Sequence, residues 1–197
     1  MSSDRSPRVQ ALLTAAVAVI ADEGLRGLTH RAVDRRATVP AGSTSYYFRT
    51  RQALLGGVVA FIAEQEMADI EAATVSEELA ETPPVRQVAD RFAGVLAHWL
   101  GPQRDRTRAR LEIILLTARH PEGELGTELL RARERFVGQA QQLATALGSP
   151  CPDEGGRIVV AFAEGLTYDG VIRPGQDTTD RAALRQMLER VLLTLAG

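Results

Sequence analysis

The sequence predicts an all-α protein with about nine helices and no sheet, and three observations support this fold class. Apolar residues recur at spacings of three and four along most of the 197 residues, which is the period of an amphipathic helix. Glycine and proline interrupt these stretches where helices would end. No segment alternates apolar and polar residues over the length that a half-buried strand requires.

The first helix is expected to begin after Ser6, whose hydroxyl can cap it, with Pro7 in its first turn. Its apolar residues recur at helical spacing and form one continuous face: Val9, Leu12, Leu13, Ala16, Val17 and Ile20. Gly24 should end this helix, because glycine adopts a left-handed conformation without steric cost.

Two shorter helices and a long one are expected next. Thr29 suits the N-cap of a second helix, and the turn at 38–40 ends it because proline disfavours helical geometry in the preceding residue. A third helix over about 41–47 carries hydroxyl and aromatic side chains in place of an apolar stripe. Thr50 then suits the cap of a fourth helix that extends to about residue 73.

Five more helices account for the rest of the chain. Their expected limits are Pro83-Pro84, Gly101-Pro102, His120-Pro121, Gly148, Arg173-Pro174-Gly175 and about Ala196. Residues 158–172 are apolar nearly all round, so this segment should be buried on several sides. Arginines at a spacing of two occupy 104–110, and we interpret this series as a solvated turn.

Composition excludes several classes of protein. Cys151 is the only cysteine, so an internal disulfide and a cysteine-rich zinc site are excluded. No run approaches the roughly 18–20 apolar residues of a membrane helix. The N-terminus lacks the apolar core of a signal peptide, so we expect a cytoplasmic protein without a membrane partner.

Charge is divided unevenly along the chain. Residues 1–51 carry eight arginines and four acidic residues, a balance of +4, whereas the remainder carries fifteen arginines and twenty-one acids, a balance of −6. A basic segment attached to an acidic one is typical of a nucleic-acid module joined to a domain with another role. We therefore expect a DNA-binding domain over 1–50 and a second helical domain over 51–197.

The third helix is the most informative element. A short helix that presents serine, threonine and tyrosine is poorly suited to a core, but its donors suit phosphates and base edges. Arg49 and Arg51 follow it directly. With the preceding helix and turn, this pattern predicts a helix-turn-helix.

On these residues the chain resembles the TetR family of bacterial transcriptional regulators. The resemblance covers residues 8–55, in the long first helix, the Gly-Leu-x-Gly-Leu-Thr link at Gly24–Thr29, and the order of residues from Val39 to Leu55. The chain departs from the family's usual Leu-Tyr at Thr44-Ser45, and it has Arg51 where lysine is common. The resemblance implies a three-helix DNA-binding head and a C-terminal helical bundle for ligand binding and dimerisation.

The resemblance also implies which residues contact DNA: Thr29, His30, Arg31, Ala41, Gly42, Ser43, Thr44, Ser45, Tyr46, Arg49 and Arg51. Thr29 and Arg51 correspond to phosphate-anchoring positions of the family. Residues 41–46 would lie at the major groove. Tyr47 and Phe48 are expected to pack in the core of the head instead.

Two further sets of residues follow from the resemblance. The last two helices are the expected homodimer interface, through Ile158, Phe162, Leu166, Leu184, Leu188 and Val191. A largely apolar small-molecule effector would occupy a cavity lined by Phe61, Phe92, Leu96, Trp99, Glu112, Leu115, Phe136, Gln139, Tyr168 and Asp169, with His98 and His120 as further polar candidates.

The function indicated is that of a homodimeric repressor that binds double-stranded operator DNA and is released by its effector. Alternatives are a transcriptional activator, an accessory DNA-binding protein without an effector, and an enzyme on a helical bundle. Paired Glu-x-x-His motifs, a nucleophile elbow and phosphate-binding glycine loops are absent from the sequence. We therefore expect no catalytic residue, metal ion or cofactor.

Overall fold

The computed structural model describes residues 5–74, 84–118, 123–173, 175 and 178–195. Across these residues the chain forms nine α-helices and no strand, as the sequence predicts. The helices are α1 (Pro7–Gly27), α2 (His30–Arg36), α3 (Ser43–Tyr47), α4 (Arg51–Thr74), α5 (Val85–Leu100), α6 (Arg104–Thr117), α7 (Glu124–Ala146), α8 (Pro152–Ile172) and α9 (Arg181–Leu195). In the part of the chain that is described, no helix has the length and apolar character needed to span a membrane.

Two compact units divide the chain. The first comprises Met1–Gln65 and Asp105–Ala132, and the second comprises Glu66–Arg104 and Arg133–Gly197. The first unit therefore holds α1 to α3, whereas the second holds α5, α8 and α9.

The core of the first unit is built on the apolar face of α1. Five of the six residues predicted for that face are buried, and Val9 is half-buried at its edge. Val33 of α2, Leu54 of α4 and Ile113 of α6 belong to the same core. Gly24 has the left-handed backbone that the sequence predicts (φ 71°), but the helical segment resumes after this kink and ends at Gly27.

Hydrogen bonds at the helix ends explain the limits of α1, α2 and α4. The hydroxyls of Ser6, Thr29 and Thr50 accept from the backbone nitrogens three residues further on, at 3.4, 3.1 and 3.0 Å. At the other end of α2, Thr38 N donates to Arg35 O and Val39 N donates to Asp34 O, which is the bonding pattern of a Schellman motif. Local sequence thus defines both ends of α2.

The core of the second unit joins α5 to α9, and α8 packs against it. Its buried members include Val88, Leu96 and Trp99 of α5 with Leu188 and Leu192 of α9. Apolar residues on facing sides of these helices remove each other from water, which is the main favourable term in folding.

The sequence prediction for α8 is wrong in one respect. Ile158, Tyr168 and Ile172 are 41%, 47% and 54% exposed in the single chain, so the chain by itself does not bury α8 on several sides. Its buried positions are largely small, and a Cβ added at Gly156 would lie 2.7 Å from Gln141 N of α7. Close approach through glycine therefore buries one face of α8, with Phe162 and Leu166 half-buried against the core and Ile158, Tyr168 and Ile172 exposed.

The arginines of α6 also correct a prediction. Arg106 and Arg110 are only 6% and 9% exposed, so this segment is not a solvated turn. Residues four apart share a helix face, which is why these two are buried together while Arg108 is exposed. Arg104 lies in the second unit and donates to Gly170 O and Val171 O at 3.0 and 2.8 Å.

Candidate nucleic-acid interface

The outer face of α3 is polar, aromatic and open to solvent. Tyr46 is 79% exposed and Tyr47 43% exposed, and their rings meet edge to face with centroids 5.0 Å apart. Ser45 between them and the N-cap is also exposed. The prediction that Tyr47 packs in the core is therefore wrong, whereas Phe48 does pack against the core of the first unit.

Two open depressions lie on this face, and both tyrosines line each of them. One is lined by Gly42, Ser45 and Arg49 together with the two tyrosines. The other is lined by Arg8 and Ser43, again with both tyrosines. The face thus combines hydroxyl groups, aromatic rings and cations, the groups that contact base edges and phosphates.

Arg8 is a candidate that the sequence analysis missed. It lies in the first turn of α1, and its Nη2 donates to Ser43 Oγ of α3 at 3.2 Å. The two residues are 35 positions apart, so no local pattern could have joined them. The only available signal was the basic character of the first 51 residues as a whole.

Thr44 is placed differently from the prediction that it faces a groove. It is fully buried, and both its backbone nitrogen and its hydroxyl donate to Asp34 Oδ1 of α2, at 2.8 and 2.5 Å. Gly42 N donates to the other oxygen, Oδ2, at 2.8 Å. Because a threonine engaged in this way cannot reach a ligand, Thr44 is removed from the groove-facing set.

Asp34 is itself buried and was not among the predicted site residues. Burial by itself raises the pKa of its carboxyl, but the hydrogen bonds from Thr44 and Gly42, with a smaller contribution from nearby His30, outweigh burial and hold the pKa below its ordinary value. The carboxylate is therefore the stable form within the fold. In the sequence Asp34 lies on a polar face of α2, and a solvent-exposed aspartate would give the same pattern, so its burial could not be predicted.

His30 contacts the other end of α3. Its Nε2 lies 2.6 Å from the backbone oxygen of Phe48, and because a carbonyl only accepts, the ring nitrogen donates. His30 is half-buried. This bond attaches α2 to the end of α3. Contact between His30 and DNA stays a prediction.

The remaining predicted DNA contacts lie at the surface. Their exposed members are Thr29, Arg31, Ala41, Gly42, Ser45, Tyr46, Arg49 and Arg51, and Ser43 is half-buried. Gly42 is the N-cap of α3 with a left-handed backbone (φ 93°), which favours glycine there. The structure thus brings Gly42, Ser43, Ser45, Tyr46 and Arg49 together around one helix.

Arg51 has partners within the protein. Its Nε donates to Leu28 O at 3.2 Å, and its Nη2 donates to Leu25 O. These carbonyls lie at the C-terminal end of α1, where a cation is favourable. Arg51 therefore ties the start of α4 to the end of α1, and its predicted phosphate contact stays a prediction.

The residues predicted for a dimer interface fall into two groups. Leu184 and Leu188 are 1% and 3% exposed within the core of the second unit, so they are not available to a second chain, and their assignment to the interface is wrong. Both residues face α5. The helical period predicts that they share one face of α9, but it does not predict which helix covers that face. Ile158 is exposed, while Phe162, Leu166 and Val191 are half-buried.

The predicted effector-pocket residues are distributed over both units. Phe61, Glu112 and Leu115 belong to the first unit. Phe61 is buried in the core, Leu115 is 64% exposed, and Glu112 Oε2 accepts from Leu25 N at 3.1 Å. Glu112 therefore binds the backbone beside the kink in α1.

The other seven candidates belong to the second unit. Leu96 and Trp99 are buried there, and the Trp99 indole donates to Asp69 Oδ2 at 2.8 Å. Asp169 pairs with Arg173 at 2.5 Å. Phe92, Phe136 and Gln139 are half-buried, Tyr168 and His98 are exposed, and His120 lies outside the described residues. A single cavity lined by all these residues stays a prediction.

Two segments of the chain match known protein families. Residues 12–58 match "Bacterial regulatory proteins, tetR family". Residues 83–194 match "Tetracyclin repressor-like, C-terminal domain". The first match contains α2 and α3 whole, and the second spans more than half of the chain.

Solved structures resemble the chain over nearly its full length. A member of the TetR family from Streptomyces coelicolor A3 is 24% identical with a TM-score of 0.71, covering 94% of this chain and 98% of that one. A transcriptional regulator from Rhodococcus sp. Rha1 is 16% identical with a TM-score of 0.78, covering 95% of both chains. At these identities the likeness shows the fold.

A third similar structure contains a bound ligand. The multidrug binding protein EbrR, complexed with ethidium, is 26% identical with a TM-score of 0.67, covering 93% of this chain and 98% of that one. No curated protein matches the chain in sequence.

Proposed function

Because the chain belongs to the tetR family of DNA-binding transcriptional regulators, we propose that it is a homodimeric repressor that binds double-stranded operator DNA through α3 and is released by a small-molecule effector. The observation that carries the proposal is the exposed face of α3, where Tyr46 lines one depression with Ser45 and Arg49 and a second one with Arg8. Residues 1–50 would act as the DNA-binding domain and 51–197 as the effector and dimerisation domain of a cytoplasmic protein.

Roles within the proposed interface follow from exposure. Ser45 and Tyr46 would contact bases in the major groove, because both residues are exposed on the helix that would enter it; the Ser45 hydroxyl, which donates to Gly42 O at 2.9 Å, can still accept. Arg8, Arg31 and Arg49 would contact phosphates, where cations provide affinity with little sequence preference. Thr29 offers an exposed hydroxyl to a phosphate.

Selection of binding sites from random duplexes tests this proposal. We expect an enriched two-fold symmetric sequence with half-sites about one helical turn apart, since each protomer contributes one α3. Enrichment of no sequence would contradict operator recognition, and enrichment of a lone half-site would contradict the dimer.

Tyr46→Ala sharpens the test on the selected duplex. Removal of the exposed Tyr46 side chain should weaken binding to the selected duplex about tenfold, which is in the range of one lost base contact. Leu130→Ala is a suitable control, because Leu130 is also an exposed large residue (57%) but lies on α7. Equal affinity of the two variants would place the groove contact elsewhere.

The proposed dimer interface uses the outer face of α8 with α9. Ile158, Tyr168 and Ile172 of α8 and Leu193 of α9 are large apolar or aromatic residues with 41–56% of their surface exposed in the single chain. A second copy would remove this surface from water, which favours association. Two protomers related by a two-fold axis would then present two copies of α3 to one duplex.

The proposed effector is a small, largely apolar organic molecule. Support comes from the similarity to EbrR, which binds ethidium. An effector that prefers the DNA-free state lowers operator affinity by the ratio of its affinities for the two states. Titration of ethidium and a panel of apolar compounds into the DNA-free protein should identify a ligand, and a ligand that does not itself bind DNA should release the preformed complex. A protein whose operator complex no such compound releases would favour the accessory DNA-binding alternative.

A further inference from the structure

Asp34 of α2 holds the beginning of α3 through three hydrogen bonds. Oδ2 accepts from Gly42 N, and Oδ1 accepts from the backbone nitrogen and hydroxyl of Thr44, at distances between 2.5 and 2.8 Å. Asp34 is 3% exposed and Thr44 is fully buried, so water is excluded from these bonds. The backbone oxygen of Asp34 also accepts from Val39 N at 3.0 Å, so the same residue secures the turn that leads to α3.

These bonds replace a local cap. The first backbone N–H groups of a helix have no intrahelical partner, and a side chain at the N-cap usually supplies one. The N-cap of α3 is Gly42, which has no side chain. The carboxylate that performs this role therefore comes from a different helix, so capping α3 also attaches it to α2.

Apolar packing supports the C-terminal end of α3 through Phe48 but gives its N-terminal turn little support. Thr44 is its one buried residue, whereas α2 is anchored by Ala32 and Val33 in the core of the first unit. Hydrogen bonds to a carboxylate are directional and shorter than bonds between neutral groups. The Asp34 carboxylate therefore holds the N-terminal turn of α3, which carries Ser45 and Tyr46, while Phe48, packed against the core, holds the other end of the helix.

We propose that Asp34 is a positioning residue for DNA recognition, which sets the affinity and sequence selectivity of α3 by fixing its orientation on α2. Asp34 acts without touching DNA, because it is buried beneath α3. The role in selectivity rests on the proposed DNA-binding function of α3.

Asp34→Asn is the first test, because asparagine keeps the size of the side chain and loses one of the two acceptor oxygens. One N–H group, at Gly42 or Thr44, then faces an amide donor. We expect binding to the selected operator to weaken about tenfold or more, in the range of a buried donor that loses its partner. Binding to a random duplex at the same salt concentration should change less than about twofold, since Arg8, Arg31 and Arg49 remain.

Variants of Thr44 provide a graded version of the same test. Thr44→Val keeps the shape of the side chain and removes the hydroxyl that donates to Asp34, whereas Thr44→Ser keeps the hydroxyl. We expect Thr44→Val to lower the ratio of operator to random-duplex affinity and Thr44→Ser to retain it. If Asp34→Asn does not fold, as judged by circular dichroism, the Thr44 pair carries the test.

Val33→Ala is the matched control. Val33 is fully buried on the same helix and belongs to the apolar core, so its truncation destabilises the head without removing a bond to α3. We expect this control to retain the ratio of operator to random-duplex affinity. An equal fall of the ratio in Val33→Ala and Asp34→Asn would assign the effect to general stability and overturn the positioning role.

Amide hydrogen exchange at Gly42 and Thr44 separates this inference from the proposed function, because it requires no DNA. Both amides should exchange slowly in the wild-type protein and faster in Asp34→Asn. Faster exchange with an unchanged affinity ratio would overturn the role in selectivity. If the wild-type protein selects no duplex, the role of Asp34 in sequence selectivity is contradicted together with the proposed function. Unchanged amide exchange in Asp34→Asn would separately contradict the claim that Asp34 fixes α3.

Discussion

Thr38 occupies the turn between α2 and α3 in a conformation that suits glycine better than threonine. Among the described residues it is the one non-glycine with a positive φ, at 54°. A left-handed backbone brings Cβ close to the neighbouring carbonyl, and branching at Cβ adds to the conflict. The backbone bonds from Thr38 N and Val39 N to α2 nevertheless keep this geometry.

Thr38→Gly should therefore stabilise the protein. We expect the free energy of unfolding to rise by about 0.5–1 kcal/mol, since relief of the left-handed strain exceeds the extra chain entropy of glycine. Urea unfolding measures the change. Thr14→Gly is the control at an exposed helical position of α1 and should lower stability by about 0.3–0.5 kcal/mol; a loss of stability in both variants would contradict the strain at Thr38.

The Asp34 carboxyl predicts a specific pH dependence. Its pKa in the folded protein is below the ordinary value of about 3.9, so ionised Asp34 stabilises the fold above that pH and the contribution is lost as pH falls through the lowered pKa. Wild-type protein should be more stable than Asp34→Asn at pH 7, and the difference should shrink below about pH 4. Urea unfolding at several pH values measures it, and a difference independent of pH would contradict the prediction.

At the scale of helices, glycine determines how closely α8 approaches its neighbours. A Cβ on Gly156 would lie 2.7 Å from Gln141 N, which is a backbone atom of α7, and a Cβ on Gly170 would meet Leu100 of α5. A flexible side chain can move aside, but the backbone of a packed helix moves only with its helix. A side chain at position 156 should therefore be tolerated less well than one at position 170.

Gly156→Ala should destabilise the second unit by about 1–3 kcal/mol through overpacking. Gly56→Ala is the matched control, because Gly56 lies inside α4 with no atom within 4 Å of an added Cβ. That variant should gain about 0.5–1 kcal/mol from the higher helix propensity of alanine. Thermal unfolding of both variants measures the contrast, and equal stability of the two would show that α7 and α8 separate easily.

At the scale of the whole molecule, the proposed repressor requires two chains. A charge placed within the proposed interface should separate them, because an unpaired buried charge is strongly unfavourable. Ile172→Glu on α8 should convert the dimer to a monomer in analytical ultracentrifugation and weaken operator binding at least tenfold, since paired heads bind far more tightly than single ones.

Leu130→Glu controls for the added charge. Leu130 is 57% exposed on α7 and lies outside the proposed interface, whereas Ile172 is 54% exposed. The Leu130 variant should remain dimeric and bind DNA normally. A dimer that survives Ile172→Glu, or dissociates equally in both variants, would place the interface on another surface.

Local sequence patterns were sufficient to locate the helices of this protein. Caps at Ser6, Thr29 and Thr50, the apolar period of α1 and the polar character of α3 are local features, and each was recognised from residues close together in the chain. Helix ends depend on backbone groups within one turn, so a sequence pattern can specify them. The family resemblance over residues 8–55 is consistent with this, because its motif lies on the same local features.

The burial of individual side chains, in contrast, depends on tertiary contacts that no local pattern specifies. Thr44 bonds to buried Asp34, Arg8 donates to Ser43, and Leu184 packs in the core of its own chain. The sequence was equally compatible with an exposed Thr44, an unattached Arg8 and a Leu184 at the dimer interface. A helical period shows which residues share a face, but the neighbours that cover the face come from distant parts of the chain. For α3 this difference is decisive, because the exposed residues Ser45 and Tyr46 were predictable from their chemistry, whereas the buried carboxylate that orients them was not.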